Sequence, residues 1–139
     1  MPTGDSIQCV VVTPERAVLD EAAEFVALPM YDGELGVLPG RAPLIGRLGA
    51  GELRLRRGEE VRRFFVDGGF AQVRANVVTV LTPRAVPGEA IDAPAVAQTL
   101  DAARTPTATA EEMDAHLKLQ ERARAQLRVA RRARGETHA

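Results

Sequence analysis

A β-sandwich of short antiparallel strands over residues 1–88, followed by an antiparallel pair of helices over residues 89–139, is the fold class this sequence predicts. Three observations predict it. From Ile7 to Pro87, apolar residues recur with period two in short runs, and Gly or Pro separates the runs. After Ile91 alanine rises and β-branched residues thin out, a shift toward helix formers. Two helix-start signals then appear in the alanine-rich part, one at Asp92 and one at Thr109.

In the first run, Ile7, Cys9 and Val11 share one face and Val10 and Val12 the other. A strand apolar on both faces belongs inside a sandwich or against a partner. Thr13-Pro14-Glu15-Arg16 turns the chain, Ala17-Val18-Leu19 is a short strand ended by Asp20-Glu21, and Phe25 to Pro29 is the next.

Tyr31 to Pro43, YDGELGVLPGRAP, holds three glycines and two prolines among apolar residues. Glycine permits positive φ and proline fixes φ, so this stretch reads as a stiff, shaped connection. Leu35, Val37 and Leu38 are expected inward, with Asp32, Glu34 and Arg41 as a polar rim. Leu44-Ile45 opens a further strand that Gly49-Ala50-Gly51 is expected to break.

Glu52 to Arg57 alternates Leu53 and Leu55 against Arg54 and Arg56, the pattern of a half-exposed strand. Gly58-Glu59-Glu60 turns it into Val61–Val66, forming a hairpin. Gly68-Gly69 reads as the next turn, Phe70–Val73 as a strand, and Val77–Leu81 as a buried central strand. Pro83 and Pro87-Gly88 close the region.

Asp92 caps a first helix with Pro94 in its opening turn, and Val96, Leu100 and Ala103 form its apolar stripe. Thr105-Pro106-Thr107 stops it. Thr109 with Glu112 three residues on is a capping box for a second helix reaching about Ala133. Its apolar side is expected to comprise Met113, Leu117, Leu127 and Ala130, with Leu119 and Ala123 adjacent. Acids (Glu111, Glu112, Asp114) occupy its first turns. Six arginines, from Arg122 to Arg134, occupy its end with no acid between them. The helix dipole favours both placements, but six arginines exceed what it needs, which implies an acidic counterpart. The stripe is interrupted by Gln120 and Arg124, so the hairpin is weakly held and has two positions open to it.

Hydrophobic residues at 45% suffice for a core, and aromatics at 4% make that core aliphatic. A net charge of −1 supplies no bulk field toward nucleic acid or anionic lipid. No run of apolar residues is long enough to span a bilayer, and the start lacks the pattern of a signal peptide, so a soluble cytoplasmic chain is expected. The single cysteine, Cys9, excludes an internal disulfide and reads as a buried thiol. No glycine-rich turn is followed by Gly-Lys-Ser/Thr. His116 and His138 lack metal-ligand spacing, His116 reads as solvated, and Ser6 has no base in sequence reach. Asp67 beside Gly68-Gly69 reads as a turn cap rather than a catalytic carboxylate. An enzyme, a small sandwich hydrolase included, therefore has no constellation to work with. A nucleic-acid-binding module using the basic helix is the alternative from another class, against which the scarcity of aromatics and near-zero charge weigh.

The run YDGELGVLPGRAPLIGRLGAGELRLR resembles the signature of the epsilon subunit of F-type ATP synthases. Gly33-Glu34-Leu35-Gly36-Val37, Pro39-Gly40 and Ala42-Pro43-Leu44 match it, while Arg41 stands where that family usually has His. Val66-Asp67-Gly68-Gly69-Phe70, Val77–Leu81 and Ala125–Val129 match in family order. The resemblance implies a non-catalytic central-stalk subunit whose sandwich binds the gamma subunit and rests on the c-ring, peripheral at the cytoplasmic face of the bacterial plasma membrane. It touches the membrane only through the complex and binds no nucleic acid. The helices would lie against the sandwich or extend between the alpha and beta subunits, where their basic residues meet acids of beta and hydrolysis is inhibited. By position, the resemblance sets Thr13 and Arg41 toward gamma, Glu34 toward the c-ring, and Arg122, Arg124 and Arg128 in the inhibitory helix. Some relatives bind ATP at an Ile/Leu-Asp-x-x-Arg-Ala motif. Ile91-Asp92 match it, but Ala95-Val96 replace Arg-Ala, so no cofactor and weak or no ATP binding are expected.

Overall fold

The computed structural model describes residues 6–104 and 109–135. The Thr105-Pro106-Thr107 link and His138 lie outside these residues. Eight strands precede two helices: β1 (Ile7–Val12), β2 (Ala17–Ala23), β3 (Phe25–Met30), β4 (Gly33–Val37), β5 (Leu44–Arg57), β6 (Glu60–Arg74), β7 (Val77–Leu81), β8 (Ala85–Pro87), then α1 (Ala93–Ala102) and α2 (Ala110–Ala133). The ladder order is β2-β1-β7-β6-β5-β3-β4, with β8 added to β6. Neighbours are antiparallel except β1 and β7, which run parallel from Gln8↔Val77 to Val12↔Leu81.

The long β5–β6 hairpin makes this ladder a sandwich. Its outer half, near the turn at Gly58, pairs β3 and β8, while the other half pairs β7. The two ends of the ladder thus fold over one another. Ile7, Cys9, Val11, Val78 and Val80 of one layer share a single buried cluster with Val26, Leu28 and Val37 of the other. Phe64, Leu53 and Val66 fill its centre at 2% exposure or less. Each such side chain contributes roughly 1.5–3 kcal/mol on burial.

Three local expectations give way to pairing. Gly49-Ala50-Gly51 does not break the strand, because Ala50↔Asp67 and Gly51↔Val66 carry the ladder through. Gly68-Gly69 is no turn either: both have positive φ, +79° and +99°, and form a bend inside β6 where the strand passes from one layer to the other. The Tyr31–Pro43 stretch is half strand, since Gly33–Val37 pairs along β3 from Met30↔Gly33 to Val26↔Val37. Its Leu38 lies outside, not inside. The tertiary ladder overrides glycine's low strand propensity at all three places. β2 likewise runs on through Asp20-Glu21 to Ala23, held by β1.

The helices form as their caps indicate. Asp92 Oδ1 accepts from the Ala95 amide at 3.1 Å, and Thr109 Oγ1 from the Glu112 amide at 3.1 Å. They run antiparallel: the Gln120 amide group donates to the Ala103 carbonyl, and Arg134 donates to the Ile91 carbonyl at the opposite end. α2 lies on the outer half of the β5–β6 hairpin, where Ala125, Val129 and Ala130 meet Phe65 and Ile91. Of the expected apolar side, Ala123 and Ala130 are buried and Leu127 is half-buried. Met113, Leu117 and Leu119 are exposed, and the docking face is made of alanines and Val129. Small side chains allow the helix to approach the sheet closely, which leucines would prevent.

Candidate functional site

Two surfaces stand out. The first is the outer face of the layer containing β1, β7 and the inner ends of β5 and β6. Arg47↔Phe70, Phe70↔Leu81 and Val12↔Leu81 are successive ladder partners, so these four side chains form one row across four strands. Ile45↔Gln72, Gln72↔Thr79 and Val10↔Thr79 form the next row. Ile45 is 73% exposed, Leu81 54% and Phe70 53%. Tyr31, also exposed, stacks under the Arg47 guanidinium at 4.6 Å. A polar rim surrounds the patch, including the Gln8–Asp20 hydrogen bond and Arg74. A contiguous apolar face with a polar rim is the anatomy of a protein interface. β7 is therefore buried on one face only, not throughout as its composition suggested.

Of the residues assigned by resemblance, Thr13 and Arg41 lie at the two ends of this layer. Thr13 follows β1 at the Leu81 end. It is buried, and its amide and hydroxyl both donate to the Arg16 carbonyl, at 2.9 and 3.2 Å, so it shapes a turn and offers no free hydroxyl. Arg41 is exposed at the other end of the layer, where the Gly40 amide donates to Asn76 Oδ1 at 2.8 Å. It lines a shallow groove of about 310 Å³ with Phe25, Leu38 and Pro39. Glu34 lies on the other layer, exposed on edge strand β4, and is gripped by Arg54 at 3.2 Å. Arg54 also bonds Glu52; burial opposes its charge, but the bonds to Glu34 and Glu52 outweigh it and raise its pKa. Thr13, Arg41 and Glu34 therefore form no common site.

The second surface is α2, whose arginines divide. Arg122 Nε binds Asp67 at 3.0 Å and Arg132 binds Glu52 at 3.4 Å, both facing the sheet. Arg124, whose one hydrogen bond among the described residues goes to Gln120, and Arg128 face solvent without ion pairs among them. Asp67 thus lies within β6 and pairs with a helix, and does not cap a turn as expected. Between α1, α2 and β6 lies a cleft of about 470 Å³, lined by Ile91, Asp92, Ala95, Val96, Arg84, Asp67 and Arg122. Its acids are already engaged: Asp92 caps α1 and Asp67 pairs with Arg122.

No group of three or more metal-ligating side chains exists among the described residues. Cys9 is fully buried, and burial, with the nearby Asp20 charge, pushes its thiol up to about 12. His116 departs from expectation: it is half-buried, and its Nδ1 has no hydrogen-bond partner among the described residues. Among the described residues, no helix is long and apolar enough to cross a membrane.

This architecture matches known proteins. The family model described as ATP synthase, Delta/Epsilon chain, beta-sandwich domain matches residues 6–88. The ATP synthase epsilon chain of Rhodopirellula baltica is 55% identical over 127 residues, covering 91% of this chain and 99% of that one. The chain belongs to the ATP synthase epsilon chain family. The epsilon chain of Magnetococcus marinus is 40% identical over 113 residues, with 78% and 82% of the two chains covered. Among solved structures, a chain of the Euglena gracilis mitochondrial ATP synthase OSCP/F1/c-ring assembly superposes with TM-score 0.72 at 24% identity, covering 99% of this chain and 85% of that one. A chain of the Tetrahymena thermophila mitochondrial ATP synthase central stalk and c-ring gives TM-score 0.64 at 16% identity, with 89% and 96% covered. These two likenesses show the fold alone.

Within this epsilon-family chain, sequence reasoning missed Ile45, Phe70, Leu81 and Tyr31 as a surface. Period two marks two faces of a strand but not which one a neighbouring layer covers. One signal was available: β1 and β7 are apolar on both faces, more than a sheet with one solvated face requires.

Proposed function

We propose that this chain is a non-catalytic central-stalk subunit of an F-type ATP synthase, coupling proton translocation through the c-ring to ATP synthesis and restraining hydrolysis through its helices. The observation that carries this reading is the uncovered apolar sheet face that bears Ile45, Phe70 and Leu81. A subunit that transmits torque needs a stiff body and a broad grip. The sandwich supplies the body. The row Arg47, Phe70, Leu81 and Val12 supplies the grip, and gamma is the partner proposed for it, with Arg41 at the far end of the same layer. Thr13 acts through the turn it closes. Glu34, exposed on the opposite layer, is assigned to the c-ring, with Arg54 setting its orientation.

The chain divides into a sandwich, residues 1–88, and a regulatory hairpin, residues 89–139. The docking face of α2 buries Val129 and three alanines, of order 4 kcal/mol in gross transfer free energy before ordering costs. A hairpin so lightly held can leave, extend between alpha and beta, and bring Arg122, Arg124 and Arg128 against acids of beta. The nucleic-acid alternative needs these arginines on one face, and instead Arg122 turns to the sheet while Arg124 and Arg128 turn out. Association with the membrane is peripheral, through the complex, at the cytoplasmic face in a bacterium.

Two measurements test this. Purified gamma should retain the full chain in a pull-down, and its failure to do so overturns the stalk role. Assembled enzyme carrying the chain cut after Pro87 should hydrolyse ATP faster than with the full chain, and unchanged hydrolysis overturns the inhibitory role.

A further inference from the structure

Among the described residues, two ion pairs join the hairpin to the sandwich, Asp67–Arg122 and Glu52–Arg132. They differ in what remains when the helix departs. Glu52 also binds Arg63 at 2.7 Å and Arg54 at 3.2 Å, so it keeps two cations. Asp67 has no other ion pair among the described residues, and its side chain is only 23% exposed. A carboxylate so placed is poorly hydrated, and losing its cation costs more than losing a surface pair. Asp67 therefore feels the docked helix most.

A second contact marks the same closure. A Cβ built on Gly88 would lie 2.6 Å from the Ala133 Cβ and 3.2 Å from the Val129 carbonyl oxygen. The last turns of α2 thus sit on bare backbone between β8 and α1. Any side chain at Gly88 would lift the helix from its seat.

We infer that the Asp67–Arg122 pair is the catch that sets how often the hairpin leaves the sandwich, with Gly88 as the seat on which it closes. The inference rests on the reading of the hairpin as the inhibitory element. Arg122 then has two alternative anions, Asp67 when docked and an acidic partner surface when extended. Arg124 and Arg128 have only the second. Removing the charge of Asp67 abolishes the docked partner alone, whereas removing that of Arg122 abolishes both. The two substitutions therefore loosen the hairpin alike but act oppositely on inhibition.

Amide hydrogen exchange of residues 110–133 in the isolated full chain tests the catch, with sandwich amides as the folding control. Asp67→Asn and Arg122→Gln should each speed α2 exchange about threefold at low salt, and the effect should shrink near 1 M salt. Asp67→Arg combined with Arg122→Asp should restore slow exchange. Gly88→Ala should speed exchange at both salt concentrations. Asp67→Asn exchanging like the parent at low salt, or a charge swap that fails to restore protection, overturns the catch. In the assembled enzyme Asp67→Asn should lower hydrolysis and Arg122→Gln raise it. Faster α2 exchange with hydrolysis unchanged by either substitution upholds the catch and overturns the inhibitory reading instead.

Discussion

Gly69 faces the carbonyl of Leu81 so closely that a Cβ built on it would stand 2.0 Å from the oxygen. The residue also has φ +99°, outside the range L-residues adopt without strain. This approach lets β6 bend from the layer of β8 to the layer of β7. Gly69→Ala should therefore cost at least about 3 kcal/mol, above the usual range for a single methyl. Urea unfolding of both proteins checks it, and a loss under about 1 kcal/mol would show that β6 does not need this contact.

Phe70 and Leu81 are neighbours on the uncovered face, about half exposed in the isolated chain. Phe70→Glu should change stability by less than about 1 kcal/mol, because the side chain is outside the core. It should weaken binding to gamma by at least about tenfold, since a charge would enter an apolar contact. Titration calorimetry with purified gamma reads the second effect and thermal unfolding the first. Unaltered affinity would move the interface elsewhere.

Cys9 holds its proton because burial disfavours the thiolate, which raises its pKa from 9.0 to about 12. The unfolded chain ionises this thiol from about pH 9, while the folded chain does not. The unfolded state then binds fewer protons, so stability is fully present below pH 9 and is lost as pH climbs toward 12. Cys9→Ser should weaken that alkaline loss in unfolding experiments at pH 7 and pH 10. Thiol reagents should label Cys9 only as fast as the chain opens.

The cleft beside Ile91 and Asp92 has the volume for a small ligand but lacks the arginine of the nucleotide motif, with Ala95 in its place. Arg122 already pairs with Asp67 there. Calorimetric titration with ATP should show no micromolar binding. Ala95→Arg should strengthen nucleotide binding if that motif position alone limits it.

Much of the architecture was legible before any coordinates. Ile7, Cys9 and Val11 alternate as a core face must, and they are buried. Leu53 and Leu55 point in while Arg54 and Arg56 do not. Thr109 and Asp92 announced the helix starts through short side-chain oxygens that reach free amides, an interaction confined to a few residues. The basic end of α2 was visible as composition.

Other features could not be read from the sequence, because each depends on residues distant in the chain. Gly68-Gly69 signals a turn locally, yet β7 and β8 on either side draw it into one strand. Met113 and Leu117 look like a helix's buried stripe, yet the sheet takes the face of Ala125, Val129 and Ala130. The division of Arg122 and Arg132 from Arg124 and Arg128 arises from where Asp67 and Glu52 stand on the sheet. Sequence by itself determined which segments become strands and helices and where the helices start, since period, caps and composition act over a few residues. Tertiary structure alone decided which faces are covered, because burial is a contest between surfaces that meet only once the chain has folded.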